Sequence, residues 1–164
     1  MQVRLVLKAI FFMLLFPGTV TSLVPYLIIR SRGVDELPGL NVLTIFSLIT
    51  GVIGITMLLY RIWEFAFYGK GTLSTIDPPK VLVVRGLYKH TRNPMYLAVV
   101  CILVSEAIFF RSRDILLYAV IIFLIFHLFV IFYEEPHLRK IFGERYEKYF
   151  SLIPRWVFSR KPFN

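Results

Sequence analysis

Long apolar runs constrain this chain more than any other feature of its sequence. A hydrocarbon core of about 30 Å needs roughly 20 helical residues to cross it. Four runs approach that length, at residues 5–29, 42–60, 95–110 and 115–133. With 57% hydrophobic residues and a mean hydropathy of +0.71, the chain is too apolar for a soluble domain. The sequence therefore predicts an all-α membrane protein with about four transmembrane helices.

The first and third runs depart from a simple spanning helix. The first resembles a signal peptide at its start, but it continues past Pro17 to Ile29 and exceeds the 7–15 residues of a cleaved apolar region. We expect a retained helix that is kinked at Pro17. The third run is short, and residues 111–114 join it tightly to the fourth. These two runs predict a C-terminal helical hairpin, and whether the third helix fully spans is left open.

The basic residues indicate how the helices are oriented. Of the 19 Lys and Arg residues, 15 lie in the N-terminal segment, the loop before residue 93 and the tail, whereas four lie in the other two connections: Arg30, Arg32, Arg111 and Arg113. This bias predicts that both termini and the second loop face the cytoplasm in a multi-pass protein. The net charge of +9 does not indicate nucleic-acid binding, because no basic stripe with exposed aromatics lies outside the apolar runs.

Neither a repeat nor a linker divides the chain, so residues 1–164 are predicted to form a single integral-membrane domain. The long polar loop at residues 69–92 contains Asp77-Pro78-Pro79 and is more typical of a functional loop than of a plain connection. After Pro136, apolar residues recur at helical spacing as far as Phe150. The tail is therefore predicted to be an amphipathic interfacial helix, which could also roof a site.

Asn93-Pro94 is typical of a helix start, because Asn is a preferred N-cap and Pro suits the first helical position. The free N–H groups of such an end, with Arg92 beside them, could hold the carboxylate of an amino-acid-like ligand. The alternative is that Asn93 only caps the helix and Arg92 lies among lipid headgroups.

Glu134 and Glu135 lie where the fourth run leaves the membrane. Two adjacent carboxylates repel each other, and negative charge at a helix C-terminus opposes the helix dipole. They are explained if they accept from several donors, such as a ribose diol, an amino group or Arg. The alternative is an ordinary helix end that faces water. Tyr88, Tyr96 and Tyr133 surround these motifs and could attract a sulfonium or ammonium, although Tyr also belongs to the interfacial aromatic belt.

Two further ionisable residues lie in apolar runs. His127 precedes Glu134 by seven residues and falls near the same helix face, so it is either a functional group at depth or a satisfied core histidine. Glu106 is expected near the opposite interface, paired with Arg111 or Arg113. No metal site is predicted, because His90, His127 and His137 lack ligand spacing and Cys101 is the single cysteine.

Taken in order, these motifs resemble a known superfamily over roughly residues 80–157. The set is Gly86-Leu87-Tyr88, Arg92-Asn93-Pro94-Met95-Tyr96, Glu134-Glu135 and Phe142-Gly143-x-x-Tyr146-x-x-Tyr149. It is similar to the small integral-membrane methyltransferases, which comprise isoprenylcysteine carboxyl methyltransferases and phospholipid N-methyltransferases. The resemblance implies an S-adenosylmethionine pocket facing the cytoplasm and a lipophilic acceptor that enters from the bilayer.

The resemblance also implies which residues form the site. The cofactor contacts it implies are Lys80, Val81, Leu82, Val83, Tyr88, Arg92, Asn93, Pro94, Met95, Tyr96, Glu134 and Glu135. Two positions differ from the isoprenylcysteine enzymes: Asn93 replaces the His of Arg-His-Pro, and Val130 replaces an Arg that engages the substrate carboxylate. Both differences favour a phospholipid-type over a prenylcysteine acceptor.

The sequence thus predicts an S-adenosylmethionine-dependent methyltransferase that acts on a lipophilic, membrane-embedded acceptor. A carboxylate or thiolate acceptor needs no base, whereas an ammonium acceptor must lose a proton, for which His127 or Glu134 is the catalytic candidate. The alternative is a non-enzymatic membrane scaffold or carrier subunit that retains the fold. Neither the acceptor nor the methylated atom follows from the residues.

Overall fold

The computed structural model describes residues 15–33, 38–68, 82 and 84–163, and all regular secondary structure within them is helical. A π-helical turn at Thr19–Leu23 leads into α1 (Val24–Ser31), and a 3₁₀ turn at Gly86–Lys89 precedes the second half of the fold. The longer helices are α2 (Val42–Tyr68), α3 (Pro94–Phe109) and α4 (Arg113–Phe129). Two short helices follow, α5 (Glu135–Phe142) and α6 (Glu144–Leu152). The all-α prediction is confirmed.

Two stretches of the described chain are long and apolar enough to cross a membrane. They are Val42–Glu64 in α2 and the continuous helical stretch Arg113–Phe142, whereas α3 is apolar but shorter. The second predicted run, at residues 42–60, lies within a longer helix that continues to Tyr68. Arg61 and Glu64, one turn apart, form a buried ion pair that lets polar residues continue the helix.

The helical hairpin predicted from residues 95–133 is confirmed. Helix α3 begins at Pro94, and α4 begins at Arg113 after a turn in which Arg111 adopts a φ of 50°. The Ser112 side chain caps α4 by accepting a hydrogen bond from the Ile115 N–H at 3.3 Å, and Asp114 lies in the first turn, where negative charge is favourable.

Helices α2 and α3 pack closely because two glycines of α2 face α3. A Cβ at Gly54 would lie 2.9 Å from the Ile102 side chain and 3.1 Å from the Ala98 carbonyl oxygen, and one at Gly51 would lie 2.9 Å from Ser105 Oγ. Small residues allow such backbone approach between membrane helices. The main core lies along this contact and comprises Leu58, Ile62, Ala98, Val99, Ile102, Leu103, Ala119 and Phe126.

The fourth predicted run ends at Tyr133, but the helical chain continues beyond it. A π-helical turn at Val130–Glu134 connects α4 to α5, and Pro136 lies in the first turn of α5. Proline lacks the N–H that a regular helix would use, so an irregular turn is a natural place for it. The single tail helix predicted after Pro136 is wrong, since Gly143 with a φ of 52° separates two short helices.

Candidate functional site

The two sequence motifs meet at one end of the hairpin. The Tyr96 hydroxyl, in the first turn of α3, donates a hydrogen bond of 2.9 Å to Glu134 Oε2, in the π turn after α4. The residues are 38 positions apart, and the close pairing of α3 with α4 brings them together. Glu134 as a residue is partly exposed, whereas its neighbour Glu135 is buried.

Glu135, by contrast, is fully engaged. It is 5% exposed and accepts two hydrogen bonds of 2.8 Å from Arg155, one from Nε to Oε1 and one from Nη2 to Oε2. Arg92 Nη2 lies 3.4 Å from the same Oε1. The hydrogen bond to Glu135 raises the pKa of Arg155. This bidentate geometry is the strongest that an Arg–carboxylate pair adopts, so Glu135 holds the tail against the hairpin.

Arg92 has hydrogen-bonding capacity to spare. Its guanidinium lies 3.9 Å from the centre of the Phe150 ring, and burial lowers its pKa while the charge of Glu135 opposes that shift. Within the described residues, Nε and Nη1 are buried without a hydrogen-bond partner. Buried N–H donors without acceptors are costly, so an anionic ligand group at this position would satisfy them.

Asn93 occupies the N-cap position of α3, and Pro94 is its first residue, as predicted. The prediction that Asn93 caps the helix with its side chain is wrong. Its Nδ2 instead donates to the Arg155 carbonyl at 3.2 Å, which also accepts from Thr91 Oγ1 at 3.2 Å. The first N–H groups of α3 therefore receive no side-chain cap from Asn93.

Tyr88 lies in the 3₁₀ turn against the end of α2. The Arg61 guanidinium lies 4.6 Å from its ring centre, and its carbonyl accepts a hydrogen bond of 2.7 Å from the Tyr149 hydroxyl. Burial, and secondarily the charge of Glu134, raise the pKa of Tyr88 to about 12. Gly86 enables this turn, since its φ is 49° and a Cβ would lie 2.8 Å from the Tyr60 hydroxyl.

His127 is engaged with the tail. Trp156 Nε1 donates a hydrogen bond of 2.9 Å to His127 Nδ1, and the two rings lie 5.9 Å apart. An Nδ1 acceptor requires the proton of a neutral imidazole to be on Nε2. Trp156 also packs near Tyr96 and Phe123, with ring-centre distances of 6.5 Å and 5.2 Å.

Of the remaining predicted residues, some pack against the two cores or a neighbouring ring, and others lie outside the described residues. Leu82 packs against the second core, formed by Tyr146, Tyr149 and Ile153, and Met95 packs against the main core. Lys80, Val81 and Val83 lie outside the described residues. Tyr133 stacks on Phe129 and His137.

Sequence reasoning missed Arg155 and Trp156. Both follow Ile153-Pro154, and this tail runs alongside the segment before α3: the Arg92 N–H donates to the Pro154 carbonyl at 3.0 Å, and the Ser159 N–H donates to the His90 carbonyl at 2.7 Å. The only sequence signal was an Arg-Trp pair directly after the apolar pattern of the tail. An isolated pair of this kind does not reveal which carboxylate it reaches.

Comparison with known proteins identifies the family. The family model described as phospholipid methyltransferase matches residues 42–145, well over half of the chain. This range contains Tyr88, Tyr96, Glu134 and Glu135 and ends before Arg155. Searches of curated proteins and of solved structures gave no match. Matched over α2 through α5, the chain belongs to the phospholipid methyltransferase family, a family of membrane methyltransferases.

Proposed function

We propose that this protein is an integral-membrane enzyme that transfers the methyl group of S-adenosylmethionine to a lipophilic acceptor in the bilayer. The observation that carries the proposal is the hydrogen bond between Tyr96 and Glu134, which joins both motifs in one site. The match to the phospholipid methyltransferase family supports methyl transfer.

The residues at this end fit the chemical groups of S-adenosylmethionine. The buried donors of Arg92 and the start of α3 suit its carboxylate. The Glu134 oxygen that does not bind Tyr96 suits a ribose hydroxyl or the ammonium group. The rings of Tyr88 and Tyr96 suit a sulfonium, which at Tyr88 would need a face other than the one that Arg61 covers. The loop residues Lys80 to Val83, as well as Asn93 to Met95, belong to the same proposal.

When bound, the cofactor supplies an already activated methyl group, so the protein mainly holds the acceptor in line and excludes water. For an acceptor that must lose a proton, the geometry favours Glu134 over His127 as the base. Glu134 retains a free acceptor oxygen, whereas the Nδ1 lone pair of His127 already accepts from Trp156.

The surroundings of Val130 favour a phospholipid-type acceptor over prenylcysteine. Val130 is 1% exposed and carries no charge, so this residue does not supply the cation with which, by the resemblance, the isoprenylcysteine enzymes bind a carboxylate. The nearest later basic residue, Arg139, is paired with Glu147 at 3.0 Å. A farnesylated cysteine analogue should therefore be a poor substrate, and robust methyl-ester formation on it would reverse this preference.

The proposal includes a topology of about four spans, with both termini and the cofactor site in the cytoplasm and α5 and α6 at the interface. The distribution of the basic residues supports it. Reporter fusions at Asn164 and at Leu40 should report opposite sides of the membrane. Two reporters on the same side would exclude this arrangement.

Binding of labelled S-adenosylmethionine to the detergent-solubilised protein tests the function. Glu134→Gln should weaken binding by about 1–3 kcal/mol, as expected for a lost charge-assisted hydrogen bond, with little effect on unfolding. Glu135→Gln should lower the stability as well, because its partner Arg155 loses its charged acceptor. The exposed Glu144 offers a matched control, and Glu144→Gln should change neither property.

Absence of binding by the folded native protein would favour the scaffold or carrier alternative, since a scaffold has no reason to bind this cofactor. Binding that Glu134→Gln leaves unchanged would move the cofactor site away from the Tyr96–Glu134 pair.

A further inference from the structure

A second site lies at the other end of α3. A groove of about 270 Å³ runs between α2 and α3, and its lining consists of Ser47, Leu48, Gly51, Val52, Ile55, Ile102, Ser105, Glu106, Phe109 and Phe110. Glu106 follows Tyr96 by ten residues, which is about 15 Å along a helix. The groove is therefore separate from the Tyr96–Glu134 site.

The polar side chains that line the groove are acceptors. The Ser47 hydroxyl donates its hydrogen to the Thr44 carbonyl at 2.7 Å, and the Ser105 hydroxyl donates to the Ile102 carbonyl at 2.8 Å. Each hydroxyl thus has only lone pairs left to offer. Glu106 Oε2 is buried without a hydrogen-bond partner in the described part of the chain.

The expected pairing of Glu106 with Arg111 or Arg113 is wrong. All three residues lie in the described range 84–163, and no ion pair joins Glu106 to either arginine there. A carboxylate among apolar groups is costly unless a cation neutralises it. The groove therefore needs a cationic donor, and no ion pair of the described residues supplies one to Glu106.

The chemistry of the groove specifies the missing group. A primary ammonium carries three N–H donors and no acceptor, which matches one carboxylate and two hydroxyl acceptors. A quaternary ammonium has no N–H to donate. If Glu106 is protonated before the ligand binds, its proton moves to a neutral amine of the ligand. The result is the same ammonium–carboxylate pair.

The walls of the groove indicate that the ligand is a lipid. Leu48, Val52 and Ile55 are about half exposed or more, and they lie on α2, which is apolar enough to cross a membrane. A molecule that reaches the groove from this side passes through the hydrocarbon layer. Arg111, in the turn that follows α3, and Arg113, the first residue of α4, are exposed and could meet a phosphate group beside the ammonium.

We propose that this groove binds a membrane lipid whose headgroup ends in a primary ammonium, at a site distinct from that of methyl transfer. Glu106 forms the ion pair, while Ser47 and Ser105 accept the other two hydrogen bonds. The site discriminates against lipids with a fully methylated headgroup, because those cannot donate to it.

The test is lipid binding by the detergent-solubilised full chain, measured by native mass spectrometry without any cofactor. Dioleoylphosphatidylethanolamine and dioleoylphosphatidylcholine differ only in the methylation of the headgroup nitrogen. The native protein should bind the ethanolamine lipid about tenfold more tightly, as expected for charge-assisted hydrogen bonds. Glu106→Gln should abolish this preference, and Ser105→Ala should reduce it in part.

Glu134→Gln serves as the matched control, because it alters the methyl-transfer end and should leave the preference intact. Equal binding of the two lipids, or a preference that survives in Glu106→Gln, would overturn the proposal. A preference lost in Glu134→Gln instead would assign the lipid to the methyl-transfer site. If Glu106→Gln does not fold, the graded loss in Ser105→Ala decides the question.

Discussion

The two ends of α3 handle buried charge in opposite ways. At the Pro94 end, Glu135 receives two hydrogen bonds from Arg155 and lies near Arg92, so its charge is neutralised within the protein. At the Phe109 end, Glu106 has a buried oxygen without a hydrogen-bond partner among the described residues, in a groove whose polar lining consists of acceptors.

This difference distinguishes polar side chains that stabilise the fold from polar side chains that are available to a ligand. A fully satisfied ion pair positions elements, whereas an unsatisfied buried group is a candidate for contact with water or a ligand. Within the Pro94 end the same contrast recurs between Glu135, which is saturated, and Glu134 with Arg92, which are not.

The largest expected effect comes from removing the neutralising charge at the Pro94 end. Arg155→Met leaves Glu135 with only the 3.4 Å contact to Arg92, and breaking a buried pair costs about 3 kcal/mol of unfolding free energy. Denaturant unfolding of the detergent-solubilised protein measures this. Arg155→Lys should restore part of the lost stability, because lysine keeps the positive charge. The restoration should be incomplete, because lysine cannot bind Glu135 bidentately.

The exposed Arg160 provides a control, and Arg160→Met should leave the stability unchanged. The ethanolamine-lipid preference should survive in Arg155→Met, because it belongs to the other end. An Arg155→Met variant as stable as the native protein would remove the distinction between the two ends.

A smaller loss of stability is expected where α2 packs against α3, between the two ends of α3. Gly54→Ala places a methyl group against Ile102 and the Ala98 carbonyl, and overpacking of this kind costs about 1–3 kcal/mol. Thermal unfolding measures the change. Gly18→Ala is the matched control, since a Cβ there meets nothing within 4 Å. Equal stabilities of the two variants would show that α2 and α3 need no close approach.

The smallest effect concerns the contact between the tail and His127. Trp156→Phe keeps an aromatic ring but removes the N–H donor, which costs about 1 kcal/mol. The readout is the imidazole nitrogen signals of His127 by NMR, which should shift as Nδ1 loses its donor. Replacing the other tryptophan, Trp63→Phe, should leave those signals in place. Unchanged His127 signals in Trp156→Phe would exclude the hydrogen bond.

The helices themselves could be predicted from local patterns. The apolar runs and Pro94 each indicate a helix or its boundary within a few residues, so α3, α4 and their hairpin were predicted correctly, whereas the Ser112 cap was not predicted. Tyr96 and Glu134 could be singled out as candidates because they lie at apolar–polar borders of the sequence, and their role in binding stays a prediction.

What could not be predicted depends on side-chain partners and backbone angles that the apolar pattern does not reveal, some near in sequence and some distant. The helix through Arg61 continues because a buried Glu64 pairs with it, and the tail breaks at Gly143 because its φ is positive. Asn93 is a residue type typical of helix caps, yet its side chain donates a hydrogen bond to the carbonyl of Arg155, 62 residues later. The role of Arg155 likewise follows only from the path of the tail.

The bidentate pair between Arg155 and Glu135 also has a consequence for the order of synthesis. Glu135 and Arg92 leave the ribosome before Arg155, and at about 5–20 residues per second the delay lasts one second or more. During that interval the hairpin can insert while its end is still open to water and headgroups. Arg155 can pair with Glu135 only after it has emerged, so the nascent helices need not bury the Glu135 carboxylate before its partner is present.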